Sequence, residues 1–131
     1  MIVVDTNVLA HLLLPALDAS PARRLFEQDS HWAAPVLWRS EFRNVLAGYM
    51  RRGSQSLEEV CDIQLCAERI LSGREYQMSS TPVLDLVAAS TCTAYDCEFV
   101  ALALRLGAPL VTCDQQILRD FPEVAVDLMG A

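Results

Sequence analysis

The sequence predicts an α/β fold, in which helices pack around a mostly parallel central sheet. Two short apolar runs, residues 2–4 and 110–112, have the pattern of buried parallel strands. Segments with helical periodicity separate them, and such alternation is typical of α/β proteins. Asp5 directly follows the first run, and Asp114 lies two residues beyond the second. Because ligands of such sheets bind beyond the carboxyl ends of the strands, the two aspartates are the first indication of a functional site.

The elements of the first half of the chain are predicted from helix caps and breakers. Proline and glycine end helices, and Ser, Thr or Asn begin them. In chain order the signals predict a helix over residues 8–14 capped by Thr6-Asn7 and ended by Pro15, a helix starting at Ser20-Pro21, a strand over residues 31–33, and a long helix from Pro35 to Arg52 closed by Gly53.

The second half carries the same kinds of signal, including a capping box. In chain order they predict a helix over residues 56–71 that starts with Ser56-Leu57-Glu58-Glu59, a weak strand over 76–78, a helix from Thr81-Pro82 to Ser90, a helix over 94–106 ended by Gly107, a helix over 114–119 and an edge strand over 124–126. Strands and helices therefore alternate to the end of the chain.

The composition predicts one globular domain over residues 1–131, because it is 53% hydrophobic and 21% charged and has no linker or repeat. The N-terminus lacks the pattern of a signal peptide or a membrane span, so no membrane association is expected. The five cysteines form no C-x-x-C pair. This usage predicts reduced thiols in a cytoplasmic protein rather than disulfides or a zinc site.

The net charge of −7 argues against broad, non-specific binding to phosphate backbones, although carboxylates that bind cations contribute to this total. Several arginines of the third helix have two interpretations, a phosphate-binding track or solvated surface with pairing to the helix C-terminus. They are Arg39, Arg43, Arg51 and Arg52. Three aromatic side chains could stack on bases, but their context favours core packing. They are Trp32, Trp38 and Tyr49.

Four acids have both a structural and a functional interpretation. Asp5 and Asp114 could each cap the helix that follows, and Asp96 could favour a helix dipole. Asp96 also lies three residues before Phe99, which places it on the inward-facing side of its helix. Glu41 is harder to explain structurally and is the fourth candidate.

Glu41 lies in the apolar face of the third helix, four residues after Leu37 and four before Val45. A buried unpaired carboxylate costs several kcal/mol, so Glu41 must meet a cation. Arg39 and Arg43 lie on the wrong side of the helix, which leaves a metal ion or a distant arginine. Several carboxylates in one place repel each other unless divalent cations neutralise them, and oxygen ligands suit Mg²⁺ or Mn²⁺. Hydrolysis of a nucleic-acid backbone is the chemistry that such a site performs.

Four segments that span nearly the whole chain resemble the PIN-domain ribonucleases, particularly the toxins of VapBC toxin–antitoxin modules. In the family's order they are Val3-Val4-Asp5-Thr6-Asn7, Trp38-Arg39-Ser40-Glu41-Phe42-Arg43-Asn44-Val45-Leu46, Ala94-Tyr95-Asp96-Cys97-Glu98-Phe99-Val100-Ala101-Leu102-Ala103 and Leu110-Val111-Thr112-Cys113-Asp114. Each segment alone is a weak signal, and the four in order are specific.

The resemblance implies a three-layer α/β/α sandwich with its acids at one end of the sheet. It implies Mg²⁺ or Mn²⁺ bound by Asp5, Asp96 and Asp114, with Glu41 acting directly or through water. Three further side chains match positions that orient carboxylates or waters, namely Thr6, Asn7 and Thr112. The implied reaction is endonucleolytic hydrolysis of RNA by water, leaving a 5′-phosphate and a 3′-hydroxyl. A small antitoxin and a homodimer are the implied protein partners.

Other polar residues near these motifs are expected to be structural. Gln116 stands where some relatives have a further acid, so a fifth ligand is not expected there. Glu98 should lie on the surface, about 200° around the helix from Asp96. Asp85, Asp120 and Asp127 are assigned to solvated faces, and Cys97 and Cys113 to packing rather than nucleophilic roles.

Two competing interpretations remain. A haloacid-dehalogenase-like phosphohydrolase also has an aspartate after its first strand, but Asn7 replaces the second acid of its D-x-D motif and the chain has no lysine. A catalytically silent PIN-like module for protein or RNA binding is the second. The nuclease interpretation requires Mn²⁺ or Mg²⁺ binding that disappears in Asp5→Asn or Asp96→Asn.

Overall fold

A computed structural model describes residues 1–130, in which five strands alternate with seven helices. The elements in chain order are β1 (Ile2–Val4), α1 (Thr6–Leu13), α2 (Ser20–Gln28), β2 (Trp32–Pro35), α3 (Trp38–Arg51), α4 (Leu57–Ile70), β3 (Glu75–Tyr76), α5 (Ser80–Ala88), α6 (Ala94–Leu106), β4 (Leu110–Thr112), α7 (Gln115–Asp120) and β5 (Ala125–Asp127). Every predicted element is present, with boundaries that differ by a few residues.

The five strands form one sheet in the order β3-β2-β1-β4-β5, and every neighbouring pair is parallel. Val3 in the central strand pairs with Ala33 on one side and Leu110 on the other. Helices α1 to α4 contact one another, whereas α6 packs with α5 and lies across β1, β2 and β4. The predicted α/β sandwich with a parallel sheet is confirmed.

The core is built from the strands and the apolar faces of α1, α3 and α6. Its largest fully buried side chains include Trp32, Trp38, Phe42 and Phe99. Core packing of the two tryptophans is therefore confirmed, and Tyr49 packs against the core from a partly buried position. None of the helices within residues 1–130 is both long and apolar enough to cross a bilayer.

Pro35 was predicted to open the third helix, but it is the last residue of β2. The backbone N–H groups of Ala34 and Val36 donate to Arg74 and Tyr76 on the β3 side. The N–H that proline lacks would therefore face β1, beyond the paired part of that strand. The end of a strand tolerates proline there, and α3 begins three residues later.

Cys97 and Cys113 behave as packing groups, as predicted. Cys97 is fully buried and Cys113 is half-buried, and all five cysteines are free. Burial raises the pKa of the Cys97 thiol and raises that of Cys113 to about 11. Thiols with raised pKa values are poor nucleophiles at neutral pH, so neither residue is a nucleophile.

Candidate active site

The four predicted acids all lie where the parallel strands end. Asp5 is the first residue after β1, and Asp114 is the second residue after β4. Glu41 lies in the first turn of α3, the helix that follows β2. Asp96 lies in the first turn of α6, which runs back toward the start of β4. The parallel topology therefore brings acids from four segments, distant in sequence, to one edge of the sheet.

Asp5 is almost completely buried and is held by polar neighbours. One oxygen, Oδ1, accepts a hydrogen bond from the backbone N–H of Thr6 at 2.8 Å. The other, Oδ2, accepts from the hydroxyl of Thr112 at 2.7 Å and from the side-chain amide of Asn7 at 3.3 Å. Asn7 in turn accepts from the backbone N–H of Cys113 at 3.1 Å. Two of the three residues predicted to orient the carboxylates, Asn7 and Thr112, therefore form side-chain hydrogen bonds with Asp5. These bonds also connect the end of β1 with the end of β4.

Thr6 also connects Asp5 with Glu41. Its backbone N–H donates to Asp5, and its hydroxyl donates to Oε1 of Glu41 at 2.7 Å. On the other side, the hydroxyl oxygen of Thr112 accepts from the backbone N–H of Asp114 at 2.9 Å. Two threonines, one on each side of Asp5, therefore link the central acid to its neighbours.

The structural interpretations of the acids are also correct. Asp5 caps α1, Oδ1 of Asp114 accepts from the N–H groups of Gln116 and Ile117, and Asp96 forms a capping box with Thr93. These bonds fix one oxygen of each carboxylate. The second oxygens of Glu41, Asp96 and Asp114 accept no hydrogen bond within residues 1–130. Capping thus orients the three aspartates and the Thr6 hydroxyl orients Glu41, which leaves one oxygen each of Glu41, Asp96 and Asp114 free for a cation.

The electrostatics of the site disfavour its own negative charge. Burial, with further contributions from the charges of Glu41 and Asp96, raises the pKa of Asp5 to about 6, although hydrogen bonds from Thr112 and Thr6 partly offset this. Burial also raises the pKa of half-buried Glu41, and the charges of Asp96 and Glu98 add to that effect. Asp5, Glu41 and Asp96 are therefore close enough to repel one another.

No side-chain cation offsets this repulsion within residues 1–130, because none of the four acids forms an ion pair there. Arg39 binds Glu75 and Glu68, which confirms that it points away from Glu41. Arg52 lies over the ring of Tyr49. The alternative of a phosphate-binding arginine track beside Glu41 is therefore wrong for Arg39, and it stays a prediction for Arg43, Arg51 and Arg52.

The donor chemistry of the site fits a hard divalent cation. It offers carboxylate oxygens without a cationic partner, and hydroxyls that orient them. Across the described residues 1–130, no three His, Cys, Asp or Glu side chains form a closed group that could hold a metal ion by themselves. Mg²⁺ and Mn²⁺ do not need such a group, since they keep several waters and bind through a few carboxylates plus substrate phosphate.

Three polar residues have surroundings that the sequence did not predict. Glu98 is half-buried rather than on the surface, its pKa is raised by burial, and its charge acts on Glu41. Asp120 is half-buried rather than on a solvated face, and its carboxylate accepts hydrogen bonds from Thr91. The side-chain amide of Gln116 also donates a hydrogen bond to Thr91. Their partners lie far away in sequence, so local spacing carried no signal for these contacts.

Comparison with known proteins is consistent with this geometry. A profile of the PIN domain matches residues 2–125. The chain is 29% identical over 128 residues to "Ribonuclease VapC3" of Pyrobaculum aerophilum, covering 92% of this chain and 95% of that protein. Its fold is similar to a chain of a toxin–antitoxin complex from Klebsiella pneumoniae, with 15% identity, a TM-score of 0.71 and 98% of both chains covered. It is equally similar to a chain of FitAcB from Neisseria gonorrhoeae, with 15% identity, a TM-score of 0.71 and 100% of both chains covered.

Proposed function

The chain belongs to the PIN-domain family, and we propose that it is a metal-dependent endoribonuclease that acts as the toxin of a type II toxin–antitoxin pair. The observation that carries this proposal is the group of four acids at the carboxyl end of the sheet, which has no side-chain cation of its own in residues 1–130. The curated relative with 29% identity is named a ribonuclease, and the match covers nearly all of both chains.

Asp5, Asp96 and Asp114 would hold Mg²⁺ or Mn²⁺, with Glu41 acting directly or through water. When bound, the ion supplies charge neutralisation of the carboxylates and of the scissile phosphate, and a lower pKa for water. The protein's own contribution is orientation: Thr112 and Asn7 fix Asp5, and Thr6 fixes both Asp5 and Glu41. Held in this way, the free carboxylate oxygens need not reorganise when RNA binds.

An antitoxin partner is part of the proposal. The solved chain from Klebsiella pneumoniae compared above comes from a toxin–antitoxin complex, and the structural alignment with it covers 98% of both chains. An acid-rich site without internal cations is suited to accept a basic side chain from a protein that blocks it. A homodimer remains a prediction from the family resemblance.

The direct test is cleavage of RNA by the purified protein with Mn²⁺, with Mg²⁺, and with EDTA. We expect cleavage only with the metals, and products with 5′-phosphate and 3′-hydroxyl ends. Asp96→Asn should be inactive, and Asp85→Asn, a change to an exposed acid of α5, should cleave as the wild type does. Mn²⁺ binding without cleavage of any RNA offered would favour the catalytically silent module instead.

Toxin status is tested separately by expression in a bacterial host. We expect growth arrest with the wild type, normal growth with Asp96→Asn, and rescue when a small antitoxin protein is co-expressed. Growth arrest that persists in Asp96→Asn would contradict an enzymatic origin of toxicity. Mapping of the cleaved ends in arrested cells would identify the RNA.

A further inference from the structure

Two side chains of α7 hold the loop that leads into α6. Oδ2 of Asp120 accepts hydrogen bonds from the backbone N–H of Thr91 at 2.8 Å, from its hydroxyl at 2.6 Å and from the Sγ of Cys92 at 3.6 Å. The side-chain amide of Gln116 donates to the carbonyl oxygen of Thr91 at 2.7 Å and to its hydroxyl oxygen at 3.0 Å. We call these contacts the Thr91 clamp.

The clamp provides Thr91 with its backbone hydrogen bonds. Both its N–H and its carbonyl oxygen bond to side chains of α7, and within residues 1–130 no backbone group bonds to either. Thr91 is nevertheless an exposed residue in an irregular segment. Exposed loops of this kind are ordinarily mobile, so the two α7 side chains help to order this segment, together with Cys92, which is buried in the core.

The clamp connects the two segments of the chain that carry Asp96 and Asp114, two of the predicted metal ligands. On one side, the loop runs from Thr91 to Thr93, which forms the capping box with Asp96. On the other side, Gln116 lies two residues after Asp114, the N-cap of α7. The loop that leads into α6 and helix α7 are thus attached to each other by side chains that do not belong to the acid group.

We propose that Gln116 and Asp120 are positioning residues, which fix Asp96 relative to Asp114 and thereby set the affinity of the site for a divalent cation. This inference rests on the proposed function. Small hard cations such as Mg²⁺ demand near-ideal coordination, so their affinity depends on how exactly the carboxylates are held. Residues that orient metal ligands typically change metal affinity 10- to 100-fold when they are replaced.

The test is calorimetric titration of Mn²⁺ into the metal-free full-length protein, at a temperature where every variant is fully folded. We expect Asp120→Ala and Gln116→Ala to weaken Mn²⁺ binding by about tenfold each. Asp120→Asn should lose less, because its amide oxygen can still accept from the N–H of Thr91. Gln115→Ala is the matched control, since Gln115 is exposed and donates to the carbonyl of Cys113, outside the clamp.

Each outcome separates two explanations. If the wild type takes up no Mn²⁺, the proposed function fails and this inference fails with it. If the wild type binds and Asp120→Ala and Gln116→Ala bind equally well, only the inference is overturned, even when their melting temperatures are lower. Equal losses in Asp120→Asn and Asp120→Ala would show that the charge of Asp120 acts, not its hydrogen bonds. Gln116→Ala removes no charge and keeps the test valid if Asp120→Ala does not fold.

Discussion

Two groups of acidic side chains in this protein have opposite electrostatic surroundings. Glu75 in β3 accepts hydrogen bonds from Arg39 at 2.6 and 2.8 Å and from the indole N–H of Trp38 at 2.7 Å. The bonds from Arg39 hold the pKa of Glu75 below its usual range. Asp5 is buried and accepts hydrogen bonds only from uncharged donors within residues 1–130, and burial raises its pKa to about 6.

The comparison shows which acids receive a cationic partner from the protein itself. At Glu75 the chain supplies the cation, and the ion pair attaches α3 to β3. At the carboxyl end of the sheet, residues 1–130 supply donors that orient the acids but no cation, and this leaves repulsion that a metal would remove. Ion pairing within the fold thus accounts for the first group, whereas helix capping accounts for the orientation of the aspartates in the second group but not for their shared charge.

The largest expected effect comes from Asp5→Asn. It should lower Mn²⁺-dependent RNA cleavage by at least about hundredfold, because it removes the central ligand. Glu41→Gln should weaken Mn²⁺ binding less than Asp5→Asn does, as measured by calorimetry. The control Asp85→Asn should change neither RNA cleavage nor Mn²⁺ affinity. Binding losses in the reverse order would show that the ligands are ranked incorrectly.

The pH dependence of stability should distinguish the two acid groups in the metal-free protein. Burial raises the pKa of Asp5 to about 6 in the folded chain, against an ordinary value of 3.8 for an aspartate side chain in water. The folded state therefore holds the proton more tightly, so this residue makes stability fall as the pH rises between these values. The penalty is complete above the folded pKa, at about 3 kcal/mol.

Urea unfolding of the wild type and Asp5→Asn at several pH values measures this contribution. The difference in free energy of unfolding between the two proteins should shift in favour of the variant from about pH 4 to about pH 7. A difference that does not change with pH would mean that Asp5 ionises in the folded protein as easily as in the unfolded chain.

A smaller effect is expected at the acid group that already has its cation. Arg39→Ala should lower the free energy of unfolding by about 2 kcal/mol, because it leaves the partly buried Glu75 with a single donor. Arg39→Lys should recover part of that loss, since lysine keeps the charge but not the forked geometry. Chemical denaturation measures both, and Mn²⁺ affinity should be the same in both. A loss of Mn²⁺ affinity without loss of stability would place Arg39 in the metal site.

The smallest of these effects is expected from Thr112→Val, which keeps the shape of a fully buried side chain. It removes the donor to Asp5 and the acceptor for the N–H of Asp114. We expect Mn²⁺ to bind about tenfold more weakly, because an orienting residue is lost. Unchanged affinity would show that Asn7 and Thr6 are sufficient to hold Asp5.

Local signals predicted much of the fold and the candidate site. The apolar runs before Asp5 and Asp114 predicted the two strands, and Gly107, with a φ of 62°, ends α6 as expected. The Ser56 capping box is present. These features depend on residues within a few positions of one another, which is the range over which sequence spacing is informative.

Contacts between distant segments could not be predicted in this way. Arg39 and Glu75 are 36 residues apart, and Thr91 and Asp120 are 29 apart. Glu98 was assigned to the surface from its angle around α6 relative to Asp96, but the packing of α6 leaves it half-buried and near Glu41. Pairing of this kind depends on how helices pack across the sheet, which one sequence does not specify.

We propose that a divalent ion binds among the acids at the carboxyl end of the sheet. Crystals soaked with Mn²⁺ can be measured at a wavelength where manganese scatters anomalously. We expect an anomalous peak among the carboxylates of Asp5, Asp96 and Asp114, and none at Glu75. A structure with no peak there, or with an arginine side chain in its place, would show that these acids do not form a metal site.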